Sequence, residues 1–495
     1  MNVKLIMIFA ICAVAGITVS AYVYTSNASE IIPASDDIST FNSQETFSAP
    51  ILVYQSSEKS QPAPDVVFDD SGKMYVLYQD TEKDTEKDTE KDTEKDTEKD
   101  TEKDTEKDTE KDTEKDTENS SHGSHGSHGL VTNLYLKTSV DNGKTFSESV
   151  RVNTIDGDVV LDGRVAPSIE IGDNGEVYAL WANSRHEPNL FMGVYRTLEF
   201  TKSLDGGKSF EPAVNIAADE LPSGKFFQTM TISGDGNIHV AWLDSPAINN
   251  GTGYLMSDKS RPSTVKYTKS TDGGTTFEPT KSLVENPCPC CNVQSASDEN
   301  NNVFVSWRQV FGEGESQIRD MVVASSSDSG ETFSSPTKIS DDNFNFNGCV
   351  HVGAPMSVDS KGNLHVVWYT GRSDAPGMYY AVSSDNGKTF SDPLAILATD
   401  WVPPQRIYLS IDNNDVVWIA WEELTTITNN DTIWRYGDTQ ANIFSAKIKD
   451  GVLIKNPTPV NVESGKSPAI ASFDDKAAIV WTGLDNSIQS VVSEN

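Results

Sequence analysis

The segment SVDNGKTF, Ser139–Phe146, decides the fold because close copies of it recur along the chain. Each copy has the pattern S-x-D-x-G-x-[TS]-F, which is typical of a tight hairpin turn. The Asp carboxylate accepts backbone N–H groups, the Gly adopts a positive φ, and the Phe packs back between sheets. The other copies are SLDGGKSF, STDGGTTF, SSDSGETF and SSDNGKTF. The pattern predicts a structural role for five aspartates: Asp141, Asp205, Asp272, Asp328 and Asp385.

A second repeated element is a β-rich run that ends in an aromatic residue and occurs seven times. The seven runs are KMYVLY, EVYALW, NIHVAW, NVFVSW, NLHVVW, DVVWIAW and AAIVW. Their apolar residues occupy both faces, as in sheets that are covered on two sides. Successive turn aspartates are 56 to 67 residues apart, which is enough for four short strands and their loops. The sequence therefore predicts an all-β chain built from seven four-stranded units.

The two chain ends are expected to complete one unit together. The seventh unit has sequence for only three strands before the chain ends. Near the N-terminus, residues 42–54 read NSQETFSAPILVY, which resembles the end of a degenerate turn followed by an outer strand. We expect this segment to supply the missing strand, because the pairing would remove an exposed sheet edge.

The five turns resemble the Asp-box, or BNR repeat, of the sialidase superfamily, over roughly residues 40–495. The resemblance implies a β-propeller of four-stranded blades. Sialidases have six blades, whereas the repeats here number seven; a count of six would make one of the weaker units an irregular blade. The motif is specific for the fold and weak for activity, because many Asp-box proteins are not glycosidases.

The chain divides into four segments. Residues 1–24 contain a nearly unbroken apolar run, predicted to be a signal peptide or an N-terminal membrane anchor. Residues 25–40 are a linker and residues 41–495 the propeller. Within its first unit, residues 81–129 hold nine TEKD repeats and three SHG triplets, which we expect to be a disordered insertion. The protein is therefore predicted to be secreted or otherwise extracytoplasmic.

The net charge of −35 restricts the classes of partner. Binding to nucleic acid requires clustered Lys and Arg that displace counterions from phosphates, so nucleic acid is excluded as a partner. The same charge disfavours an anionic membrane surface. An extracellular glycan or a small ligand remains the predicted partner, and the sequence leaves the oligomeric state open.

Candidate ligand-binding residues gather at one end of the predicted units. The turns that join third and fourth strands mark one end, so the links between units and the loops between second and third strands lie at the other. Five arginines fall in these loops and links, and a mouth of this kind favours ligand binding. They are Arg164, Arg185, Arg308, Arg372 and Arg406.

Four cysteines and a histidine are predicted to meet at the same end. Cys288, Cys290 and Cys291 lie on the link into the fourth unit, whereas Cys349 and His351 lie on the link into the fifth. Thiolates and imidazole suit copper or zinc. An oxidising compartment favours disulfides instead, and a crosslink from Cys349 to the cluster is geometrically easy. Metal site, disulfide and a mixture of both stay open at this point.

The sialidase resemblance implies three arginines around a sugar carboxylate, a Tyr–Glu nucleophile and an Asp acid/base. The first family arginine lies in an Arg-Ile-Pro segment, but Arg164 here is two residues from Pro167, so the match departs from the family pattern. We therefore predict an exported sialidase-like propeller that binds a ligand or metal ion without sialidase catalysis. The alternative is an exo-α-sialidase or another glycoside hydrolase acting on extracellular glycans.

Overall fold

A computed structural model describes most of the chain from residue 47 onward. The described residues are 47–56, 58, 62–83, 130–161, 165–186, 194–220, 222–246, 262–346, 350–398, 406–424, 441–460 and 464–494. All of them belong to one compact unit, Glu45–Asn495. The predicted signal or anchor, the linker and most of the TEKD insertion lie outside the described residues. Within the described part, no helix is long and apolar enough to cross a membrane.

The described residues are almost entirely β-structure, as predicted, with a single three-residue 3-10 helix at Gly314–Ser316. Strands that follow one another in the chain form antiparallel four-stranded sheets. Sheet 1 contains β2 (Asp65–Phe68), β3 (Met74–Lys83), β4 (Leu130–Ser139) and β5 (Val150–Arg151). Sheet 2 contains β6 (Ser168–Ile171), β7 (Val177–His186), β8 (Val194–Ser203) and β9 (Val214–Asn215). Sheet 3 contains β10 (Ser223–Ile232), β11 (Ile238–Pro246), β12 (Thr264–Ser270) and β13 (Lys281–Glu285).

Three of the remaining sheets repeat this order, and a single pairing of Ser223 with Arg196 joins sheets 2 and 3. Sheet 4 contains β14 (Gln294–Ser297), β15 (Val303–Phe311), β16 (Ile318–Ser326) and β17 (Thr337–Lys338). Sheet 5 contains β18 (Met356–Val358), β19 (Leu364–Thr370), β20 (Gly377–Ser383) and β21 (Leu394–Ala398). Sheet 6 contains β22 (Ile407–Ile411), β23 (Val417–Leu424), β24 (Ala441–Lys449) and β25 (Val452–Pro459).

Sheet 7 combines the two ends of the described chain. It contains β26 (Gly465–Phe473), β27 (Lys476–Gly483), β28 (Ser487–Val492) and, as its fourth strand, β1 (Ile51–Gln55). Ile51 lies opposite Ser490 in the antiparallel pairing of β1 with β28. The predicted N-terminal strand is thereby confirmed, and it covers the edge that β28 would otherwise expose.

Each sheet begins with a strand that contacts the first strand of the next sheet. The contacts run in chain order from β2 through β6, β10, β14, β18 and β22 to β26, and β26 in turn contacts β2. The first strands therefore form a closed succession of neighbours.

Tryptophans of the second strands fill the space between neighbouring sheets. Trp181 of β7 shares a buried cluster with Leu77 and Leu134 of sheet 1, and Trp368 of β19 shares one with Phe304 of sheet 4. Both indoles are fully buried. The aromatic residue that ends each predicted run thus packs one sheet on the next, and burial of such large side chains stabilises these contacts.

The repeated turns join third and fourth strands in sheets 1 to 5. In the first of them, the Asp141 carboxylate accepts the Thr145 N–H at 2.9 Å and the Thr145 hydroxyl at 2.6 Å. Gly143, with φ of 72°, donates its N–H to the Ser139 hydroxyl oxygen at 2.9 Å. The hydrogen bonds from Thr145 lower the pKa of Asp141 to about 2. The carboxylate stays ionised, and its hydrogen bonds stabilise the turn.

One boundary differs from the sequence prediction. Strand β3 continues through Thr81–Lys83, so three residues assigned to the insertion belong to sheet 1. They pair with Leu130–Thr132 of β4, because alternating residues in a long hairpin gain cross-strand hydrogen bonds. In sheet 6, where the repeated turn is absent, Asp450 and Gly451 make the corresponding turn with φ of 51° and 74°.

Candidate functional site

The strand order gives each sheet two distinct ends. The repeated turns lie at the same end as the turns between first and second strands, because neighbouring strands are antiparallel. The connections between sheets enter at the opposite end, which we call the loop end. First strands begin and second strands finish there. The cysteine segment and Arg406 precede first strands, so both lie at the loop end, as predicted.

The cysteine segment is held by backbone contacts and a disulfide. Cys288 and Cys291 are joined, with Cα atoms 5.5 Å apart. Cys290 is disulfide-bonded as well. The Cys288 N–H donates to the carbonyl of Arg308 at 2.8 Å, and the Asn292 N–H donates to that of His351 at 3.1 Å. The links into sheets 4 and 5 are therefore neighbours, as the repeat order predicted.

The three sulfurs of this segment lie within 4.8 Å of one another, close enough to share a metal ion if all were thiolates. A disulfide sulfur carries no thiolate charge, so the joined pair offers neither copper nor zinc its usual ligand. The Arg319 guanidinium also lies 3.4 Å from the Cys288 sulfur. With Cys288 and Cys291 joined, the segment does not fit the metal that its composition suggested. Cys349 lies outside the described residues, and its crosslink stays a prediction.

Alkylation distinguishes the disulfide from a metal site. We expect Cys288 and Cys291 to remain unlabelled by iodoacetamide when the protein is unfolded in guanidinium chloride with EDTA and no reductant. Chelation and unfolding would free metal-bound thiolates but would leave a disulfide intact. After reduction, both residues should be labelled, as peptide mass spectrometry can measure. Complete labelling before reduction would contradict the disulfide.

Arg308 is a structural residue although its position suggested ligand binding. Its side chain is only 1% exposed. The guanidinium donates to the carbonyls of Arg319 and Tyr369, each at 2.8 Å, and it lies over the Phe344 ring. Burial lowers its pKa to about 10. The hydrogen bonds of this arginine link sheet 4 to sheet 5, and its side chain does not face solvent.

Two other candidate arginines are held by local ion pairs. Arg185 lies 3.1 Å from both Asp158 and Glu199 in and beside sheet 2. Arg372, after β19, contacts Asp374 at 2.7 Å. Arg164 lies outside the described residues. The described arginines are thus engaged in separate sheets, and the contacts do not bring them together as a carboxylate-binding triad.

Arg406 differs because it interacts with ionisable side chains of neighbouring sheets; all but Glu422, on the second strand β23, lie on first strands or directly before one. We call the group formed by Asp65, Glu170, Arg406, Tyr408 and Glu422 the first-strand cluster. The Arg406 guanidinium donates to the Tyr408 hydroxyl at 3.4 Å. Burial raises the pKa values of Asp65, Glu170 and Glu422; the Arg406 charge opposes the rise at Asp65 and Glu422, and the Asp65 charge adds to it at Glu170. The strands that carry these groups are neighbours, because β2 contacts β6 and β26, and β26 also contacts β22 and β23.

Backbone hydrogen bonds fix two of the carboxylates. Asp65 at the start of β2 accepts the N–H of Ile169 in β6 at 3.1 Å. Glu422 of β23 accepts the N–H of Ser467 in β26 at 2.8 Å. Each hydrogen bond joins two adjacent sheets, so these carboxylates and their backbone partners lie on four successive sheets: 6, 7, 1 and 2. Strand backbones hold the acidic groups in place.

Burial gives two carboxyl groups of the cluster, Asp65 and Glu170, different pKa values. It raises the pKa of Asp65 to about 6 and, together with the Asp65 charge, that of Glu170 to about 8. Both side chains nevertheless keep part of their surface exposed. At neutral pH, Asp65 is therefore mostly ionised and Glu170 mostly protonated. The cluster offers both hydrogen-bond donors and acceptors to a ligand.

Sequence reasoning missed Asp65, Glu170 and Tyr408 because it examined loops and links. A signal was nonetheless present in the first strands SIEI and IYLSI, whose polar residues alternate with apolar ones, whereas DVVF has a single polar residue, Asp65, at its start. Alternation places polar residues on one face of a strand. Ile169 and Ile407, on the opposite face, are buried, and so is Val66 next to Asp65.

No protein-family model and no curated protein matches this chain. Among solved structures, an ulvan lyase of polysaccharide lyase family PL25 is 12% identical, covering 89% of this chain and 95% of its own, with a TM-score of 0.48. The leech intramolecular trans-sialidase is 10% identical, covering 91% and 94%, with a TM-score of 0.43. The NanB sialidase of Streptococcus pneumoniae is 14% identical, covering 90% and 71%, with a TM-score of 0.39. Similarities at this level carry no argument about activity.

Proposed function

We propose that residues 45–495 form a β-propeller of seven four-stranded blades with Asp-box turns, and that the exported protein binds a neutral extracellular glycan at the first-strand cluster. The closed succession of first-strand contacts supports the seven blades, because such a succession surrounds a central channel. The cluster would then lie in this channel and open toward the loop end. Concave sites of this kind are where proteins hold small ligands.

The proposal depends mainly on the composition of the first-strand cluster. The cluster combines the carboxyl groups of Asp65, Glu170 and Glu422 with the guanidinium of Arg406 and the hydroxyl of Tyr408. Carboxylates accept hydrogen bonds from sugar hydroxyls, while Arg406 and Tyr408 can donate to sugar oxygens. The Arg406 charge already acts on Asp65 and Glu422, so the cluster holds no triad of arginines for the carboxylate of an acidic sugar. We therefore infer that the ligand is uncharged and that the site does not hold the carboxylate of a sialic acid.

The described arginines support binding without sialidase catalysis. Arg185 and Arg372 are neutralised by their own carboxylates, and Arg308 is buried among carbonyls. A planar carboxylate is held best by bidentate guanidinium contacts, which these three residues do not offer.

A glycan array tests the proposal. We expect the purified full chain to bind neutral glycans, and to bind their sialylated counterparts more weakly because the cluster lacks a triad of arginines for the sialic acid carboxylate. Binding to sialylated glycans alone would contradict the proposal, and so would the absence of binding to every neutral glycan on the array.

A glycoside hydrolase is the second candidate function, favoured by the pairing of Asp65 with Glu170. One protonated and one ionised carboxyl group at neutral pH can act as general acid and base. The bound glycan is incubated with wild type and with Glu170→Gln, and released reducing sugar is measured. Hydrolysis that the substitution abolishes would favour the enzyme, whereas an intact glycan would favour the binding protein.

A further inference from the structure

A cavity that shares no residue with the first-strand cluster lies where the N-terminal strand meets sheet 1. It has a volume of about 310 Å³. Tyr54 of β1 contributes from sheet 7, and Tyr78, Asp80 and Glu82 contribute from β3. The three residues of β3 are spaced two apart, so they share one face of the strand. Tyr135 of β4 and Ser149 complete the lining.

The tyrosine rings form a continuous wall. The ring centroids of Tyr54 and Tyr78 are 4.7 Å apart, and those of Tyr78 and Tyr135 are 5.9 Å apart. Tyr78 and Tyr135 also lie directly opposite each other in the pairing of β3 with β4. The first pair is tilted and the second is stacked; packed rings hold one another in position, and each ring presents electron-rich surface to a cation.

The two carboxylates of the cavity accept hydrogen bonds from hydroxyl groups. Asp80 is 2% exposed and accepts from the Tyr54 hydroxyl at 2.5 Å and from the Ser56 hydroxyl at 2.6 Å. Glu82 accepts from the Tyr135 hydroxyl. Burial and the neighbouring carboxylates raise the pKa values of Tyr54 and Tyr135, so both phenols stay protonated and keep donating.

The cavity carries negative charge that lacks a basic partner within the described part of the chain. No described Lys, Arg or His makes an ion pair with Asp80 or Glu82. Arg151, the nearby arginine that influences Tyr135, pairs with Asp156 at 2.9 Å. A carboxylate as buried as Asp80 is stabilised by a cation, and hydroxyl donors compensate only part of its lost hydration.

We propose that this cavity binds a primary ammonium group, as carried by an amino compound or a lysine side chain. The ammonium would donate to the Asp80 and Glu82 carboxylates while its alkyl stem and charge lie against the tyrosine rings. The volume suits a small organic cation and excludes a folded macromolecule. The site is independent of the proposed glycan site, since the two share no residue.

Calorimetric titration with n-butylammonium, and with n-butanol as its neutral analogue of similar size, tests the proposal in the full chain at constant ionic strength. We expect n-butylammonium to bind at least about tenfold more tightly than n-butanol, which corresponds to ~1.4 kcal/mol. Equal affinities would overturn the proposal, because the cavity would then recognise only the alkyl chain.

A matched pair of variants locates the site. Glu82→Gln removes one carboxylate of the cavity, and Glu148→Gln removes an exposed carboxylate beside Ser149 but outside the lining. We expect Glu82→Gln to weaken n-butylammonium binding about fivefold or more and Glu148→Gln to change it less than about twofold. Equal weakening by both variants would assign the affinity to the general negative charge of the protein and overturn the site.

Discussion

Replacing Gly330 with alanine should lower the free energy of unfolding by about 3–4 kcal/mol, through an unfavourable positive φ and a steric clash. Gly330 lies in the fourth repeated turn with φ of 76°. A Cβ atom there would lie 1.8 Å from the Tyr267 hydroxyl oxygen. Tyr267 cannot easily move, because it is buried and its hydroxyl is hydrogen-bonded to His239 Nδ1 at 2.6 Å.

Gly387→Ala is the matched control in the fifth turn. Gly387 has φ of 75°, but the nearest atom to an added Cβ is 3.6 Å away. This substitution should lower the free energy of unfolding only through the unfavourable positive φ, by about 1–2 kcal/mol. Urea unfolding of both variants measures the difference. Equal losses would show that the turn of sheet 4 does not press against sheet 3 as described.

Glu170→Gln should make the stability of the protein less dependent on pH. The folded protein holds the Glu170 proton up to a pKa of about 8, well above its usual value of 4.5. The unfolded chain therefore releases this proton first as the pH rises. Stability contributed by the protonated group is present below pH 4.5 and is lost as the pH rises towards 8.

The loss is measurable by chemical unfolding at pH 5 and pH 8. A shift of this size corresponds to ~1.4 kcal/mol for each pH unit, but Glu170 is partly exposed, so we expect about 2 kcal/mol in total. Glu170→Gln should remove this loss. Glu176→Gln, in the hairpin of the same sheet, should keep the wild-type pH dependence. A loss that persists unchanged in Glu170→Gln would place the responsible group elsewhere.

The repeats carried most of the fold information. The S-x-D-x-G-x-[TS]-F turns and the aromatic-ended runs predicted four-stranded antiparallel sheets, and the segment around Ile51 predicted the strand that completes sheet 7. These signals are local, because turn chemistry and strand patterning act over a few residues. The exact extent of β3 into the TEKD repeats depended on cross-strand pairing with β4, which composition alone does not encode.

The residues of the proposed site were harder to predict. Arg406 was found because it lies on a link between units, but its partners Tyr408 and Asp65 lie inside strands. Arg308 was assigned to ligand binding, since sequence position alone could not reveal that its guanidinium is enclosed by carbonyls of two sheets. The disulfide joined Cys288 to Cys291, a pairing that depends on the local path of the backbone between them.

The affinity of Arg406→Gln for a neutral glycan tests the central claim, that the first-strand cluster is a ligand-binding site. Isothermal titration calorimetry would compare wild type, Arg406→Gln and Arg372→Gln, using the neutral glycan that binds most tightly on the array. Loss of a charged donor from the cluster should weaken binding about tenfold or more, whereas Arg372, paired with Asp374, should be replaceable with less than about a twofold change. Wild-type affinity in Arg406→Gln would contradict the account.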